Sequence, residues 1–434
     1  MLLRSIVKIF STVFIAVLLI FSGCSNSGEE NIEDNTDVEA TIDVPDLELS
    51  DSGFNFIKLK WQDVGVDTYD IYRFSWQTGK YEKIASSSKT EYMDEEVESG
   101  KIYWYELGIG EQKSKPFEAF TSCWQIERVD TVNSTGYYSD ILYQEDKIYI
   151  AYFDASQRDL KIAIREGDEW SIETIDSEGA VGYWPHLTFF NNQIYVSYYD
   201  NTNQTIKVAT KSGGTWSITT VDSGYYYNDI TSSDTIHVFY NKNNHLWHAW
   251  LDNNIWNTEV IFDANNINSY ISAGAFDKKL YIAYYNDDSN DLMLATYSDS
   301  SWNIETVQAL GDSGRYCSLY VYQDAVYIAY YANSDLAIST NENGYWEQDI
   351  VDTGGYSGYD TSIYVDNKAV RIAFYNSTYQ KMYFATNKRG FWETFLVDRD
   401  DDYLARYPSL TIKNNLAIIS YYKNSDLHIA EEIR

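Results

Sequence analysis

Short apolar segments, separated by Asn, Asp, Gly and Ser, recur along residues 124–434 and predict β-strands throughout this part of the chain. Three related segments are IYIAYFD (148–154), IYVSYYD (194–200) and LYIAYYN (280–286), in which apolar residues occupy both alternating positions. Such strands must be covered on both faces. A tryptophan recurs every 40 to 46 residues, at Trp124, Trp170, Trp216, Trp256, Trp302, Trp346 and Trp392. A period of this length indicates a repeat architecture.

Each repeat contains four predicted strands, which matches one blade of a β-propeller. Six repeats are complete, whereas the last has only three strands, at about 408–413, 416–422 and 426–432. A lone tryptophan strand at 124–130 precedes the first complete repeat and supplies the missing fourth strand. The predicted fold class is therefore all-β, with a seven-bladed β-propeller over residues 124–434 that is closed by three strands from one end and one from the other.

The first 23 residues predict a targeting signal. Arg4 and Lys8 precede an uncharged apolar run that is too short for an ordinary membrane-spanning helix. The run ends in FSGC (21–24), which resembles the bacterial lipoprotein box and implies a lipid on Cys24; cleavage elsewhere is the alternative. Residues 24–42 are acidic, without Lys or Arg, and predict a flexible tether. The resemblance implies a lipid-anchored protein of the bacterial cell envelope, at the outer membrane or cell surface.

Residues 43–120 contain a second set of short strands, including FIKLKW (56–61) and GKIYWYEL (100–107). Their regular spacing predicts a small β-sandwich. Trp61 and the pattern V-x-x-G-x-x-Y-x-Y (97–105) resemble a fibronectin type III module, in which Tyr103 would be the tyrosine-corner residue. The module shows no binding motif, and we expect it to be a spacer.

The net charge of −33, from 65 acidic and 32 basic residues, argues against nucleic acid as a partner, because phosphates require clusters of Lys and Arg. Adsorption to anionic lipid is disfavoured for the same reason, so a covalent lipid is the expected membrane link. We predict no cofactor and no metal site, and we expect a monomer. Cys123 and Cys317 are expected at opposite ends of their blades, too far apart for a disulfide.

The candidate chemistry lies where the innermost strands begin. Those strands open with an aromatic residue, and the loops before them share one face of the propeller, around its central channel. Aromatic rings that cover C–H surfaces, beside polar groups that meet hydroxyls, suit a sugar. The predicted ligand-binding residues on this face are Arg315, Tyr316, Arg406, Tyr407, Trp184, His186, Tyr138, Tyr227, Tyr270 and Tyr359. Blade packing alone is the alternative explanation for residues that recur in every repeat.

Two arginines, Arg315 and Arg406, immediately precede an aromatic residue of this set. An unpaired arginine is costly to bury, so each is expected either to pair with a nearby carboxylate, such as Asp312 or Asp402, or to bind an anionic ligand. Pairing with a carboxylate is the simpler expectation.

The repeats resemble two propeller families at the level of pattern. One is the fucose-binding lectins, whose blades carry a similar W…V-D strand, and the other is the sialidases, whose Asp-box turn has a degenerate counterpart in STNENGYW (339–346). The sequence shows neither the recurring Arg–Glu–Trp trio of the lectins nor the catalytic set of the sialidases. We therefore expect a non-catalytic protein that binds an extracellular glycan or protein. A sialidase-like glycoside hydrolase or polysaccharide lyase on the same propeller, and an envelope scaffold that docks another protein, are the alternatives.

Overall fold

The computed structural model describes residues 43–52, 55–98, 100–121, 123–265, 267, 270–398 and 404–433. The predicted signal peptide (1–23), the lipidation site Cys24 and the tether (24–42) lie outside these residues. The described part of the chain contains no helix with the length and apolar character needed to cross a membrane.

Residues 48–120 form two antiparallel sheets. The first contains, in spatial order, Glu48–Ser52, Ile57–Lys60 and Glu91–Asp94. The second contains Lys80–Ser87, Tyr69–Ser75, Ile102–Ile109, Gln112–Lys113 and Phe117–Phe120, of which the last two both pair with Ile102–Ile109. Leu59, Trp61 and Tyr105 belong to the buried cluster of these sheets. The backbone N–H of Glu98 donates to the hydroxyl of Tyr103 at 2.8 Å, which is the contact of a tyrosine corner.

The remaining described strands form seven four-stranded antiparallel sheets, numbered here 1 to 7, each with strands in the spatial order A-B-C-D. The A strands are Tyr137–Gln144, Val181–Phe190, Asn228–Ser232, Ile271–Phe276, Ser313–Tyr322, Tyr359–Asp366 and Arg406–Lys413. The B strands are Lys147–Asp154, Gln193–Asp200, Ile236–Lys242, Lys279–Asn286, Ala325–Ala332, Ala369–Asn376 and Leu416–Lys423. The C strands are Asp159–Glu166, Thr205–Ser212, His245–Asp252, Asp291–Ser298, Asp335–Thr340, Lys381–Thr386 and Asp426–Glu432. The D strands are Glu169–Asp176, Thr215–Ser223, Ile255–Asn265, Ser301–Gln308, Glu347–Asp352, Glu393–Leu396 and, for sheet 7, Trp124–Asp130.

Sheet 7 combines both ends of the repeat region. Its D strand, Trp124–Asp130, pairs with the C strand Asp426–Glu432, so that Trp124 lies opposite Glu432 and Asp130 opposite Leu427. The predicted pairing of residues 124–130 with the last strand is therefore confirmed. The A strands contact one another in cyclic order, and the A strand of sheet 7 contacts that of sheet 1. These contacts give the chain its β-propeller fold.

The B strands are buried on both faces, as expected from the apolar residues at odd and even positions along them. Seven of the eight residues in Lys147–Asp154 are buried. One buried cluster contains Tyr149 and Ala151 of sheet 1 together with Val196 and Tyr198 of sheet 2. Neighbouring sheets thus cover each other, and each apolar side chain buried in this way contributes roughly 1.5–3 kcal/mol of stability.

Polar side chains near the start of the A strands link neighbouring sheets. In six of the seven described junctions, a serine or aspartate oxygen accepts a backbone N–H from the next A strand. The links are Asp140–Leu187, Asp229–Ala273, Ser272–Leu319, Ser318–Ile363, Ser362–Leu410 and Ser409–Ile141, at 2.7 to 3.2 Å. Between sheets 2 and 3, His186 occupies this position, with its Nδ1 3.6 Å from Oδ1 of Asp229.

The two described cysteines do not form a disulfide with each other, which confirms the prediction. Cys317 lies buried at the start of the A strand of sheet 5, whereas Cys123 directly precedes the D strand of sheet 7.

Candidate functional site

The A strands begin with an irregularity beside the central axis. In sheet 5, Arg315 lies opposite Tyr331 and Ser318 opposite Ala329, so three steps along the A strand correspond to two along the B strand. Sheets 1, 2, 6 and 7 shift register at the same place. Such a bulge leaves one residue outside the regular pairing and redirects its side chain.

The residues at this position have left-handed backbone conformations in six sheets, including sheet 4, although none of them is glycine. Their φ angles are 55° for Tyr138, 46° for Trp184, 33° for Tyr270, 53° for Tyr316, 48° for Asp360 and 55° for Tyr407. A bulky side chain rarely adopts this conformation, which costs on the order of 1–3 kcal/mol and persists where the surrounding structure enforces it. Six of the seven sheets thus share this conformation at one position of the repeat.

A glycine before the bulge lets the chain approach the preceding sheet. Gly182 has a φ of 92°, and a Cβ added to it would lie 2.6 Å from the Cα of Leu160. Gly314 has a φ of 113°, and its Cβ would lie 2.8 Å from the Cα of Leu292. Because any other residue would collide with the preceding sheet, the glycine allows the close approach that positions the residues of the bulge.

These residues converge on a cavity of about 300 Å³. All seven sheets contribute to its wall, so the cavity lies on the axis of the ring. Its lining residues are Tyr138, Ser139, Trp184, His186, Tyr227, Asn228, Tyr270, Ile271, Tyr316, Cys317, Asp360, Thr361, Arg406, Tyr407 and Pro408. Six aromatic rings and one carboxylate thus occupy equivalent places around the mouth.

The aromatic rings contact one another around most of the mouth. The Tyr138 ring lies 4.1 Å from that of Trp184 and 4.7 Å from that of Tyr407, measured between centroids. On the opposite side, the Tyr270 and Tyr316 rings are 4.3 Å apart. Burial raises the pKa of Tyr138, Tyr270 and Tyr407 above the ordinary tyrosine value, so their hydroxyls stay protonated at neutral pH.

An ion pair interrupts the aromatic ring. Nε of Arg406 donates to Oδ2 of Asp360 at 2.7 Å, and the two side chains are only 29% and 11% exposed. The guanidinium also lies over the rings of Tyr375 and Tyr407, at 4.8 and 5.0 Å from their centroids. Burial disfavours the charge of Arg406, but Asp360 outweighs burial and raises the pKa of the guanidinium. Among the described residues, Asp360 is the only side chain that accepts a hydrogen bond from Arg406.

The structure brings most of the predicted ligand-binding residues together. Eight of them line the cavity: Tyr138, Trp184, His186, Tyr227, Tyr270, Tyr316, Arg406 and Tyr407. Arg315 and Tyr359 lie outside its lining.

In sheet 6 the residue that lines the cavity is the neighbour of the predicted Tyr359. Asp360 occupies that position, while Tyr359 packs against Tyr316 and Tyr331 with ring centroids 4.8 and 5.3 Å apart. The bulge places the inward residue two positions before the serine that links the sheets, and Asp360 precedes Ser362 by two residues, as Tyr316 precedes Ser318. Counting from that serine would have identified Asp360.

Arg315 pairs with Asp312, as expected, through Nε and Oδ1 at 3.0 Å. Its guanidinium also lies 5.1 Å from the ring centroid of Tyr285. Asp360, rather than the suggested Asp402, is the observed partner of Arg406; Asp402 lies outside the described residues.

The recurring aspartates that end D strands join neighbouring sheets. Asp130 accepts hydrogen bonds from the hydroxyl of Tyr152 at 2.7 Å, from Nζ of Lys161 at 2.6 Å and from the backbone N–H of Val132 at 3.0 Å. Burial opposes ionisation of Asp130, but these donors hold the pKa of its carboxyl below the usual range. Asp176 and Asp222 have the same kinds of partner. These contacts make the aspartates part of the junctions between sheets.

A cation–carboxylate–tryptophan arrangement lies at three junctions among the described residues, with arginine as the cation at one of them. Between sheets 1 and 2, Nε1 of Trp216 and Nζ of Lys211 both donate to Glu173, at 2.8 and 2.6 Å. Two further trios are Arg165–Glu127–Trp170 and His248–Glu259–Trp302. The sequence concealed them because the cation changes type and the carboxylate comes from the preceding sheet. In each trio the carboxylate is already engaged by its own neighbours.

The described residues contain no group of three or more His, Cys, Asp or Glu side chains that could hold a metal ion. His248 instead contacts His237 at 3.0 Å and Glu259 at 2.9 Å, whereas His245 lies near the backbone oxygen of Asn243.

No protein-family model and no curated protein sequence matches this chain. Solved structures of similar fold include the Hadza microbial sialidase Hz136, with 10% identity, a TM-score of 0.44 and coverage of 89% of this chain and 92% of that one. YCF48 from Cyanidioschyzon merolae has 11% identity and a TM-score of 0.49, covering 70% and 98%. The β-propeller domain of the Trilobed protease from Pyrococcus furiosus has 5% identity and a TM-score of 0.45, covering 68% and 93%. The sheet topology itself makes this chain an all-β repeat protein with a β-propeller fold.

Proposed function

We propose that this chain is a non-catalytic, lipid-anchored protein of a bacterial cell envelope that binds an extracellular glycan in the axial cavity. The observation that carries the proposal is the convergence of six aromatic residues, from six sheets, on one small cavity. Five of them adopt a left-handed backbone conformation that the packing of the sheets alone does not require of an aromatic residue.

The chemistry of the lining fits a sugar. Aromatic rings cover the apolar C–H surface of a pyranose, while a few fixed polar groups meet its hydroxyls. Arg406 and Asp360 supply such groups on one side of the cavity, and Asn228 and Thr361 supply neutral ones elsewhere in the wall.

Binding is favoured over hydrolysis by the number of acidic groups at the site. Most glycoside hydrolases use two carboxyl groups that flank the bond. Among the described lining residues Asp360 is the only carboxylate, and Arg406 engages it. The hydrolase and lyase alternatives therefore have less support than binding.

The proposed architecture is a seven-bladed propeller over residues 124–434, closed by three strands plus one, behind a fibronectin type III-like sandwich at 43–120. The cyclic contacts of the seven A strands support the first part. The two sheets of residues 48–120 and the Glu98–Tyr103 contact support the second. A signal peptide at 1–23 and a tether at 24–42 complete the proposal.

A protein partner is the second candidate, because exposed apolar residues surround the cavity on the same edge of the sheets. They lie in the loops between D and A strands and are Val132, Tyr225, Leu310, Tyr356 and Leu404. Exposed apolar groups rimmed by polar residues mark interaction sites in many proteins.

A glycan array probed with the full chain tests the main proposal. We expect a defined set of glycans to bind, and Trp184→Ala to weaken this binding at least about tenfold, since one stacking ring is worth on the order of 1–3 kcal/mol. Tyr345→Ala is the control, because Tyr345 is an exposed aromatic in a loop at the opposite edge of its sheet. Absence of any bound glycan would reject the proposal and favour a protein partner.

Membrane attachment is tested separately with Cys24→Ser. We expect this variant to leave the membrane fraction, because a covalent lipid is the only anchor proposed. A variant that still partitions fully with detergent would refute the anchoring, without bearing on the cavity.

A further inference from the structure

We propose that the cavity recognises an uncharged hexose unit at the end of a glycan, an inference that rests on the glycan-binding function proposed above. Three properties of the cavity lead to this ligand: its size, the cancellation of its charges, and the hydrogen-bonding groups left over by the Arg406–Asp360 pair.

The size of the cavity fits one end of a ligand. Its volume of about 300 Å³ lies at the lower limit of small-molecule pockets, which span about 300–1,000 Å³. All seven sheets contribute to the wall around the axis, and below the mouth the A strands are joined by the links from Ser272, Ser318 and their equivalents. A terminal sugar enters from the mouth, while the rest of the glycan stays outside.

The charged groups of the cavity cancel each other. An incoming carboxylate would place a second negative charge beside Asp360, which is 11% exposed, with Arg406 as the shared cation. An incoming ammonium would place a second positive charge beside Arg406. Either arrangement leaves one charge uncompensated in a largely buried site, which is unfavourable. The net charge of −33 opposes an anion further.

The same ion pair leaves groups that suit hydroxyls. The pair uses Nε of Arg406 and Oδ2 of Asp360. Among the described residues, no group bonds the terminal guanidinium nitrogens or Oδ1 of Asp360. A hydroxyl can accept from one of these nitrogens and donate to Oδ1, so two adjacent hydroxyls of a hexose satisfy both partners without separating the pair.

The neighbouring rings complete this environment. Tyr407 and Tyr138 lie next to Arg406, and Trp184 stacks on Tyr138. Because the tyrosine hydroxyls remain protonated, they add donors and acceptors but no charge. The wall therefore discriminates by charge against the acidic and amino sugars that an isolated arginine or aspartate would select.

The experiment compares three versions of one oligosaccharide that the array identifies, binding to the full chain by calorimetry. They differ only in the terminal unit, which is a neutral hexose, the corresponding hexuronic acid, or the corresponding unacetylated amino sugar. We expect the neutral form to bind at least about tenfold more tightly than either charged form. Tighter binding of a charged form would overturn this inference while leaving glycan binding intact. Failure of every form, and of the whole array, would reject the proposed function itself.

Asp360→Asn provides a second and opposite readout. This variant keeps the size of the side chain but leaves Arg406 uncompensated, so binding of the hexuronic form should rise while binding of the neutral form falls. Asp324→Asn is the matched control, because it also removes one negative charge but lies in an A–B turn at the opposite edge of its sheet, where it pairs with Lys279. Equal changes in the two variants would overturn the inference. If the Asp360→Asn variant does not unfold cooperatively, it is not folded and its binding is uninformative. The affinities of the three oligosaccharides for the wild-type chain then decide whether the inference holds.

Discussion

The outer rim and the inner mouth of the ring are built from the same repeat but use it in opposite ways. At the rim, Trp216, Lys211 and Glu173 satisfy one another across a junction between sheets, and equivalents of this trio return at other junctions. At the mouth, the residue in the inward position is aromatic in six sheets and acidic in sheet 6, and most of these residues have a left-handed backbone.

Under the proposed function, the difference separates residues that build the fold from residues that bind the ligand. Polar groups at the rim are engaged by their own neighbours, so they stabilise the fold and leave nothing for a ligand. At the mouth six residues have a left-handed backbone, and among the described residues no group bonds the terminal nitrogens of Arg406 or Oδ1 of Asp360. Both features support the proposed binding site.

The largest expected effect concerns a link between sheets 7 and 1. Asp130→Ala removes the buried partner of Lys161 and Tyr152, which leaves a largely buried ammonium with only Asp154 at 3.9 Å. We expect the free energy of unfolding to fall by about 3–5 kcal/mol, measured by urea denaturation. Asp146→Ala is the control, because the exposed Asp146 accepts a similar hydroxyl from Tyr143 and should cost about 1 kcal/mol or less. Equal losses of unfolding free energy in the two variants would contradict the stabilising role assigned to the contacts at the rim.

The next effect depends on pH and concerns sheet 3, where His237 and His248 lie buried on neighbouring strands. Burial, and then the charge of His248, lower the pKa of His237 to about 4. An unfolded histidine titrates near 6.5, so the stability that the neutral ring provides is complete above pH 6.5 and is lost as pH falls towards 4. We expect His237 to account for about 3 kcal/mol of this loss. Urea denaturation at pH 7.0, 5.5 and 4.5 should show a shallower decline for His237→Asn, and parallel curves would contradict the assignment.

A smaller effect on stability, with a large effect on binding, is expected at the mouth. Trp184→Gly removes a ring but also relieves a φ of 46°, so the free energy of unfolding should change by no more than about 1 kcal/mol. Trp216→Gly at the rim loses packing without such relief and should cost roughly 3–5 kcal/mol. Denaturation of both variants, with glycan binding measured on the folded protein, checks the contrast. A similar loss of stability in both variants would show that the mouth is structural too.

The smallest expected effect on stability concerns Arg315, which occupies the same position in sheet 5 as Arg406 does in sheet 7. Arg315 is 44% exposed and pairs with Asp312 outside the cavity, so Arg315→Gln should cost about 0–1 kcal/mol and leave binding unchanged. Arg406→Gln leaves the buried carboxylate of Asp360 without its cation and should weaken glycan binding at least about tenfold. Calorimetric titration of the two variants with the same glycan tests this, and equal affinities would place the site elsewhere.

The repeat could be predicted from the sequence because it depends on period and polarity alone. Apolar residues at both parities required sheets stacked face to face, and the lone strand at Trp124 required a partner at Asp426–Glu432. Both follow from counting residues and from the need to cover apolar surface. The same counting predicted the cluster of aromatic residues at the mouth, because alternate positions of corresponding strands point the same way.

The details of the site could not be predicted in this way. A bulge changes register by one residue, which exchanged Tyr359 and Asp360 and hid the pair between Asp360 and Arg406. Contacts between neighbouring sheets join residues more than 30 positions apart in the chain, such as Glu173 and Lys211. Such pairs become visible only when the rotation from one sheet to the next is known.

The D strand of sheet 7 also determines how the molecule carries mechanical load. Trp124 lies at the edge of its sheet away from the cavity, and Asp130 lies at the edge near it. A pull on the chain that precedes Trp124, against a ligand held in the cavity, would act along this strand. Its hydrogen bonds to Asp426–Glu432 would then be loaded together in shear rather than broken one after another. The strand that closes the ring would thus also resist separation of the propeller from the segment that precedes it.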